Sequence, residues 1–257
     1  SASDLSGIIV NTCTGYVCPG ISTYLHEALE LPPDVEVLDI VGSGCAGAIP
    51  GLQTAQRMVS VSCKGPVACV SAEICSATFE MSDDLGLVVS NALFGDGAGA
   101  AVISHDGDGL EIVDSETRIL PRYRDHLRYE YKKGRLHNRL SFDVPAIAGQ
   151  IAAETILSLL RRHTLSPADV NHWAIHPGGS KVLDSIQKEA GLADEQLAVS
   201  RRILAEYGNM SSASVWFELK ELVAGGISPG DWCVMASFGA GFSAYALLLK
   251  WRNGAVS

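Results

Sequence analysis

Basic charge is scarce in this sequence. Its 257 residues carry 19 Lys and Arg against 29 Asp and Glu, a formal net charge of −10. A surface of that sign repels a polyanion, which argues against a nucleic-acid partner. No apolar run reaches the roughly 20 residues of a membrane span, and the first ten residues lack the basic start and apolar run of a secretory leader. Cysteines number seven, an odd count with no C-x-x-C pair among them. Neither a disulfide framework nor a zinc site is expected, and a reducing cytoplasm is the expected location. Low-complexity runs are absent too, so disorder is not expected. What remains is 47% hydrophobic residues, enough to bury a full core as one large domain or two fused layers.

Short apolar runs bounded by Gly, Pro and Asp alternate with longer helical patterns. Residues 7–11, 35–41, 66–72, 98–104, 172–175, 231–237 and 244–250 predict strands, several apolar enough to be buried on both faces. Residues 21–29, 46–59, 144–163, 181–190 and 212–224 predict helices. Pro145 suits the first turn of its helix, Ser166-Pro167-Ala168-Asp169 a cap, and Gly225-Gly226 a helix end. The alternation predicts an α/β fold around a mainly parallel sheet. Phe94-Gly95-Asp96-Gly97-Ala98 is echoed 144 positions later by Phe238-Gly239-Ala240-Gly241-Phe242. Each is read as a glycine turn between adjacent strands rather than a phosphate cradle, which suggests a duplicated module. Of the Lys and Arg, 8 fall within residues 118–139, a stretch read as a solvated charged loop, with contacts to phosphates as the alternative.

Three short segments could carry chemistry. An apolar strand runs into Gly42-Ser43-Gly44-Cys45-Ala46-Gly47, with a helix expected to open just after the cysteine. Partial positive charge and free N–H groups at a helix start favour the thiolate and an oxyanion beside it. A buried structural cysteine is the alternative. His176 ends a strand before Pro177-Gly178-Gly179, placed to pair with a thiolate or polarise a carbonyl, or to serve as a structural turn residue. Asn209 sits in Tyr207-Gly208-Asn209-Met210-Ser211-Ser212-Ala213, where an amide could equally cap the next helix.

Read jointly, these segments resemble one family. Gly-Cys-Ala-Gly at Cys45, His-Pro-Gly-Gly at His176, Tyr-Gly-Asn-Met-Ser-Ser-Ala at Asn209 and Leu-Phe-Gly-Asp-Gly at Phe94 look like the signatures of bacterial type III polyketide synthases. These are the chalcone-synthase-like branch of the thiolase superfamily. The resemblance implies a thiolase-like αβαβα sandwich of two duplicated modules. It divides the chain into residues 1–104, carrying the cysteine, and 105–257, carrying His176 and Asn209. It implies that Cys45 takes an acyl group from a starter acyl-CoA, held as a thiolate by an ion pair with His176. His176 and Asn209 would then stabilise the enolate formed as malonyl-CoA loses CO2, and that carbanion would attack the acyl group. Phe94 matches a gatekeeper, Thr78 a cavity-lining residue, and Cys18 a loop position that crosses a homodimer interface. Cys13 matches a second active-site cysteine, with a plain strand cysteine as its alternative. Gly178, Gly179 and Ser211 fall within the motifs as substrate contacts. No metal or redox cofactor is implied, since CoA thioesters are the substrates.

Departures from the pattern bear on substrate and completeness. The strand–helix–strand–helix portion that precedes the region matching residues 1–10 in the family is absent from this sequence, so the first module is expected to be incomplete, with an exposed apolar edge. A second gatekeeper Phe is expected near residues 136–140, where this chain has His137-Asn138-Arg139. The Gly-Phe-Gly-Pro-Gly loop becomes Ser237-Phe238-Gly239-Ala240-Gly241. Both point away from plant-type chalcone formation and towards aliphatic starters and alkylpyrone or alkylresorcinol products. Two rivals stand beside this reading. One is a synthase of the ketoacyl-carrier-protein III type, whose histidine motif usually continues Gln-Ala-Asn. The other is a truncated, non-catalytic acyl-CoA-binding homologue.

Overall fold

The computed structural model describes residues 1–62, 65–132 and 134–253; Cys63 and Lys133, counted above, lie outside them. The first sheet uses β1 (Gly7–Asn11), β2 (Glu36–Ile40), β3 (Val67–Glu73) and β4 (Gly97–Ile103) in the order β2-β1-β3-β4. β1 runs parallel to β2 and β3, and β4 returns antiparallel to β3. β5 (Gly109–Ile119) is followed by a separate hairpin of β6 (Leu127–Lys132) and β7 (Arg135–Leu140). The second sheet joins β5 to β8 (His172–Ile175), β9 (Trp232–Gly239) and β10 (Ser243–Arg252) in the order β5-β10-β9-β8. Here β8 and β9 are parallel, while β10 is antiparallel to both its neighbours. The sheets are therefore mixed rather than mainly parallel. The β9–β10 hairpin returns the chain directly, which a parallel crossover cannot do, and β4 comes back antiparallel to β3 after the excursion through the helix Leu85–Leu93.

Five layers result. α1 (Ile21–Ala28) covers the outer face of the first sheet, packing with Ile8, Val10 and Val35. α2 (Ala48–Ser62) lies between the sheets, where Ile49, Leu52 and Ala55 meet Ile9 and Cys69 on one side and Met235 and Leu247 on the other. α3 (Leu85–Leu93) packs on β7. α4 (Val144–Arg162) and α5 (Ser180–Ala190) cover the outer face of the second sheet. On α4 the buried Ala148, Ile151, Ala152, Thr155, Ile156 and Leu159 recur every three or four residues, the spacing of one helix face. α6 (Ala198–Tyr207) and α7 (Ser214–Gly225) follow, and α7 joins α2 in the middle layer, touching both β4 and β8.

Two expectations need correction. The apolar run before Phe94 is α3, not a strand. Asp84 caps it by accepting from the N–H groups of Gly86 and Leu87, and this cap outweighs the strand preference of Val88 and Val89. Only the second glycine segment, at 239–243, joins adjacent strands. The basic stretch is not a loop either. It forms the end of β5 and the β6–β7 hairpin, where Glu130 gathers Arg128, Lys132 and Arg139 at 2.6, 2.6 and 2.8 Å. Those three hydrogen-bonded cations hold its carboxyl down to about 2.

Candidate active site

Cys45 lies in a single 3-10 turn, Gly44–Ala46, between β2 and α2. α2 itself starts two residues later than the sequence suggested. The turn rests against the β9–β10 connection so closely that a Cβ on Gly239 would meet Ser43 O at 2.5 Å and Cys45 N at 3.0 Å. Only glycine allows that approach. Cys45 is buried, and its Sγ accepts a hydrogen bond from Ser211 Oγ at 3.4 Å. The same hydroxyl lies 3.1 Å from Cys13 Sγ. Ser211 holds a left-handed backbone, φ 52°, a conformation uncommon for any residue but glycine and concentrated at functional sites.

Behind this pair stands a polar network. The Glu73 carboxylate accepts from Cys13 N at 3.0 Å, Thr14 Oγ1 at 2.8 Å, Thr12 Oγ1 at 3.3 Å and Ser212 Oγ. Asn11 donates to Ser212 Oγ at 2.7 Å and accepts from Ser71 Oγ at 2.8 Å.

His176 follows the last residue of β8, fixed by its N–H to Ala236 O at 2.9 Å. The ring is fully buried and packs edge-on to Phe238 with centroids 5.1 Å apart. Neither ring nitrogen has a protein hydrogen-bond partner among the described residues. Asn209 is held by its backbone against the end of α3: Gly95 N donates to Asn209 O and Asn209 N to Leu93 O, both at 2.9 Å. That exchange sets it beside Phe94. Its side-chain Oδ1 accepts from Ser211 N at 2.8 Å, and its amide NH2 donates one hydrogen to Gly178 O at 3.5 Å. Oδ1 thus makes the short-range turn bond expected of an asparagine at a helix entry, and the NH2 stays available as a donor.

A cavity of about 200 Å³ opens onto Cys45, lined also by Cys13, Tyr16, Phe94, Tyr129, Asn138, Ser211 and Ala240. A second, of about 300 Å³, adjoins it at Asn138 and is lined by Asp84, Lys132, His137, Arg139 and Leu140.

Residues 111–251 match the family of chalcone and stilbene synthases, C-terminal domain. Residues 38–119 match 3-oxoacyl-[acyl-carrier-protein] synthase III. The chain is 32% identical to the 3,5-dihydroxyphenylacetyl-CoA synthase of Amycolatopsis balhimycina, over 97% of this chain and 68% of that protein. It belongs to the chalcone and stilbene synthase family. The members of that family are type III polyketide synthases, acyltransferases built on the thiolase-like fold. The 1,3,6,8-tetrahydroxynaphthalene synthase of Streptomyces peucetius subsp. caesius is 31% identical over 98% of this chain and 68% of its own. In structure, the enzyme of that name from Streptomyces coelicolor A3(2) superposes with a TM-score of 0.91 at 27% identity, covering 98% of this chain and 73% of the other. The chain spans about two thirds of the length of these curated relatives.

Within this type III synthase the residues singled out in the sequence are distributed unevenly. Cys45, Phe94, Asn138, Ser211 and Cys13 line one cavity, and Asn209 reaches it through Ser211 and Phe94. Gly178 stands behind Asn209 as its acceptor, and His176 stands behind Gly178, the His176 carbonyl accepting from Gly178 N. Gly179, at φ 147°, opens α5. Thr78 stands one layer back, donating to Cys75 O at 2.8 Å and bonded to the hydroxyl of Tyr129. Cys18 is exposed on the loop before α1. The standing ion pair is not formed. Burial pushes the Cys45 thiol up to about 12, against the lowering effect of the Ser211 hydrogen bond. Burial likewise holds His176 down to about 3. Burial opposes charge on either group alone, and the two make no hydrogen bond in this structure.

Sequence reasoning missed Tyr129 and Glu73. Leu127-Arg128-Tyr129-Glu130-Tyr131-Lys132 alternates apolar and polar residues, a strand signal hidden by attention to its charge. Glu73 is a lone carboxylate ending an apolar strand and carried no pattern to find.

Proposed function

We propose that this enzyme extends a short acyl-CoA starter by iterative decarboxylative condensation with malonyl-CoA. Cys45 attacks the starter thioester and holds the acyl group, releasing CoA. Its proton passes to His176 and from there to the departing CoA thiolate, and while both groups are charged each offsets the burial cost of the other. His176 and the Asn209 amide then donate to the malonyl thioester oxygen. As CO2 leaves, the electrons of the broken bond form an enolate stabilised by those donors, and its carbon attacks the acyl group on Cys45. The observation that carries this reading is a buried imidazole with no protein partner among the described residues, beside a carboxamide whose oxygen is used by Ser211 N and whose NH2 makes only one long bond, to Gly178 O.

The cavity of about 200 Å³ is smaller than the roughly 300–1,000 Å³ of usual small-molecule sites, and Tyr129 takes part of its wall. That supports short aliphatic starters and compact pyrone or phenolic products over long-chain alkylresorcinols. The reading includes a homodimer with Cys18 near the crossing point, which sedimentation of the full protein tests. The test of the whole reading is mass spectrometry of products from a panel of acyl-CoA starters with malonyl-CoA, set against malonyl-carrier protein as the extender. Condensation only with the carrier-protein substrate would favour the ketoacyl synthase reading, and no CO2 release from either extender would favour a non-catalytic acyl-CoA binder.

A further inference from the structure

Glu218 has no part in the chemistry above, yet its bonds lead to the strand that carries His176. Among the described residues β8 is the edge strand of its sheet, with β9 on one side and no strand on the other. Along such an edge, backbone N–H groups on the open side need another partner. The N–H of His176 turns inward to β9. The N–H of Ile175 turns outward and donates to Ser200 Oγ of α6 at 3.2 Å. Ser200 passes its own proton on, donating to Glu218 Oε2 of α7 at 2.7 Å. Ser200 and Glu218 are both 0% exposed, and Glu218 Oε1 has no protein partner among the described residues. Its neighbours on the helix, Val215 and Trp216, are apolar. Packing α7 against β8 needs only apolar volume at this position, and burying a carboxyl there costs stability.

We propose that Glu218 and Ser200 are positioning residues, a two-step relay that clamps β8 from its open side and so fixes the His176 ring. β9 alone would hold His176 through one bond on one side. With the relay, two consecutive residues are tied in opposite directions, and the ring has little freedom to swing off the line to the malonyl oxygen. Glu218 does this as a neutral acid, because burial raises its carboxyl well above the usual range. An apolar residue there would leave the Ser200 hydroxyl without its acceptor and free to rotate away from Ile175.

This inference rests on the reading that His176 serves malonyl decarboxylation, so the experiment separates the two. Ser200→Ala, Glu218→Leu, Glu218→Gln, Ser200→Thr and His176→Ala are made in the full protein. CO2 release from malonyl-CoA, loading of labelled acyl groups on Cys45, and melting temperature are measured for each. Ser200→Ala and Glu218→Leu are expected to lower kcat for decarboxylation about tenfold with little change in KM or in Cys45 loading. Glu218→Gln, which keeps a neutral acceptor, and Ser200→Thr, which keeps the hydroxyl, restore the rate. A merely structural role would lower the melting temperature of the leucine and alanine variants and leave kcat of the folded protein alone. Wild-type kcat in both of those variants, with His176→Ala inactive, would overturn the proposal, as would a glutamine variant as slow as the leucine one. Decarboxylation undiminished in His176→Ala would instead overturn the reading beneath it.

Discussion

The two sides of the active site are equally buried but differently furnished. Around Cys45 the protein supplies hydroxyls and a carboxylate: Ser211 touches the sulfur, and Glu73, Ser212 and Asn11 stand behind it. Around His176 it supplies an aromatic wall and, among the described residues, nothing for either ring nitrogen to bond. The difference fits the role proposed above for each group. A thiol that takes up and gives back an acyl group benefits from fixed donors at the sulfur and at the carbonyl bonded to it. A ring that must meet a transient enolate cannot have its donor already occupied, so it is kept dry and unpaired.

The comparison breaks most visibly if the sides are removed in turn. Cys45→Ala is expected to abolish acyl loading, read as loss of labelled starter on the protein. His176→Ala or Asn209→Ala should lower decarboxylation on the order of 10² to 10³-fold, the range for losing a donor to a developing oxyanion. They should leave the titration of the sulfur alone: His176 makes no hydrogen bond to Cys45 and is not among the groups that shift its thiol, which burial already holds at about 12, so iodoacetamide alkylation of either variant should keep the wild-type pH dependence. Ser211→Ala sharpens the contrast with a smaller effect. Its hydrogen bond lowers the Cys45 pKa, so its loss raises that pKa and slows alkylation at fixed pH several-fold, with decarboxylation much less affected.

The smallest effects are on stability against pH. His176 lies at about 3 in the folded protein against an ordinary 6.5. The unfolded chain therefore binds a proton that the folded one refuses, and stability falls as pH drops from 6.5 towards 3. His176→Asn should flatten that loss in urea titrations. Glu218 runs the other way. Its raised pKa, to which nearby Glu221 adds and with Cys233 alongside, means stability falls as pH rises above its ordinary 4.5. Glu218→Gln should be less sensitive to pH on that side.

Much of this was legible in the sequence because glycine and proline punctuate it. β1 and β8 were read to the residue, and α4 and α5 to within one at each end. Cys45, His176 and Asn209 could be named because motifs tied to tight turns survive as short strings. The hairpin at β6–β7 was misread because its charged residues face outward and dominate the composition, while Tyr129 and Asn138, paired across it, turn to the cavity. Charge state was illegible for a different reason. A helix start argues for a thiolate, but the depth of burial that opposes it depends on the turn at Ser211 and the β9–β10 connection packing on the Cys45 turn, residues far apart in the chain. The Ser200–Glu218 relay was hidden likewise, being two polar residues 18 positions apart on different helices.

One measurement tests the division of labour most directly: CO2 release from malonyl-CoA by Cys45→Ala and His176→Ala, assayed side by side with acyl loading. The account predicts that the cysteine variant loads nothing yet still releases CO2, and that the histidine variant releases almost none while Cys45 is still acylated, more slowly without its proton acceptor. Loss of CO2 release in the cysteine variant, with release retained in the histidine variant, would contradict it.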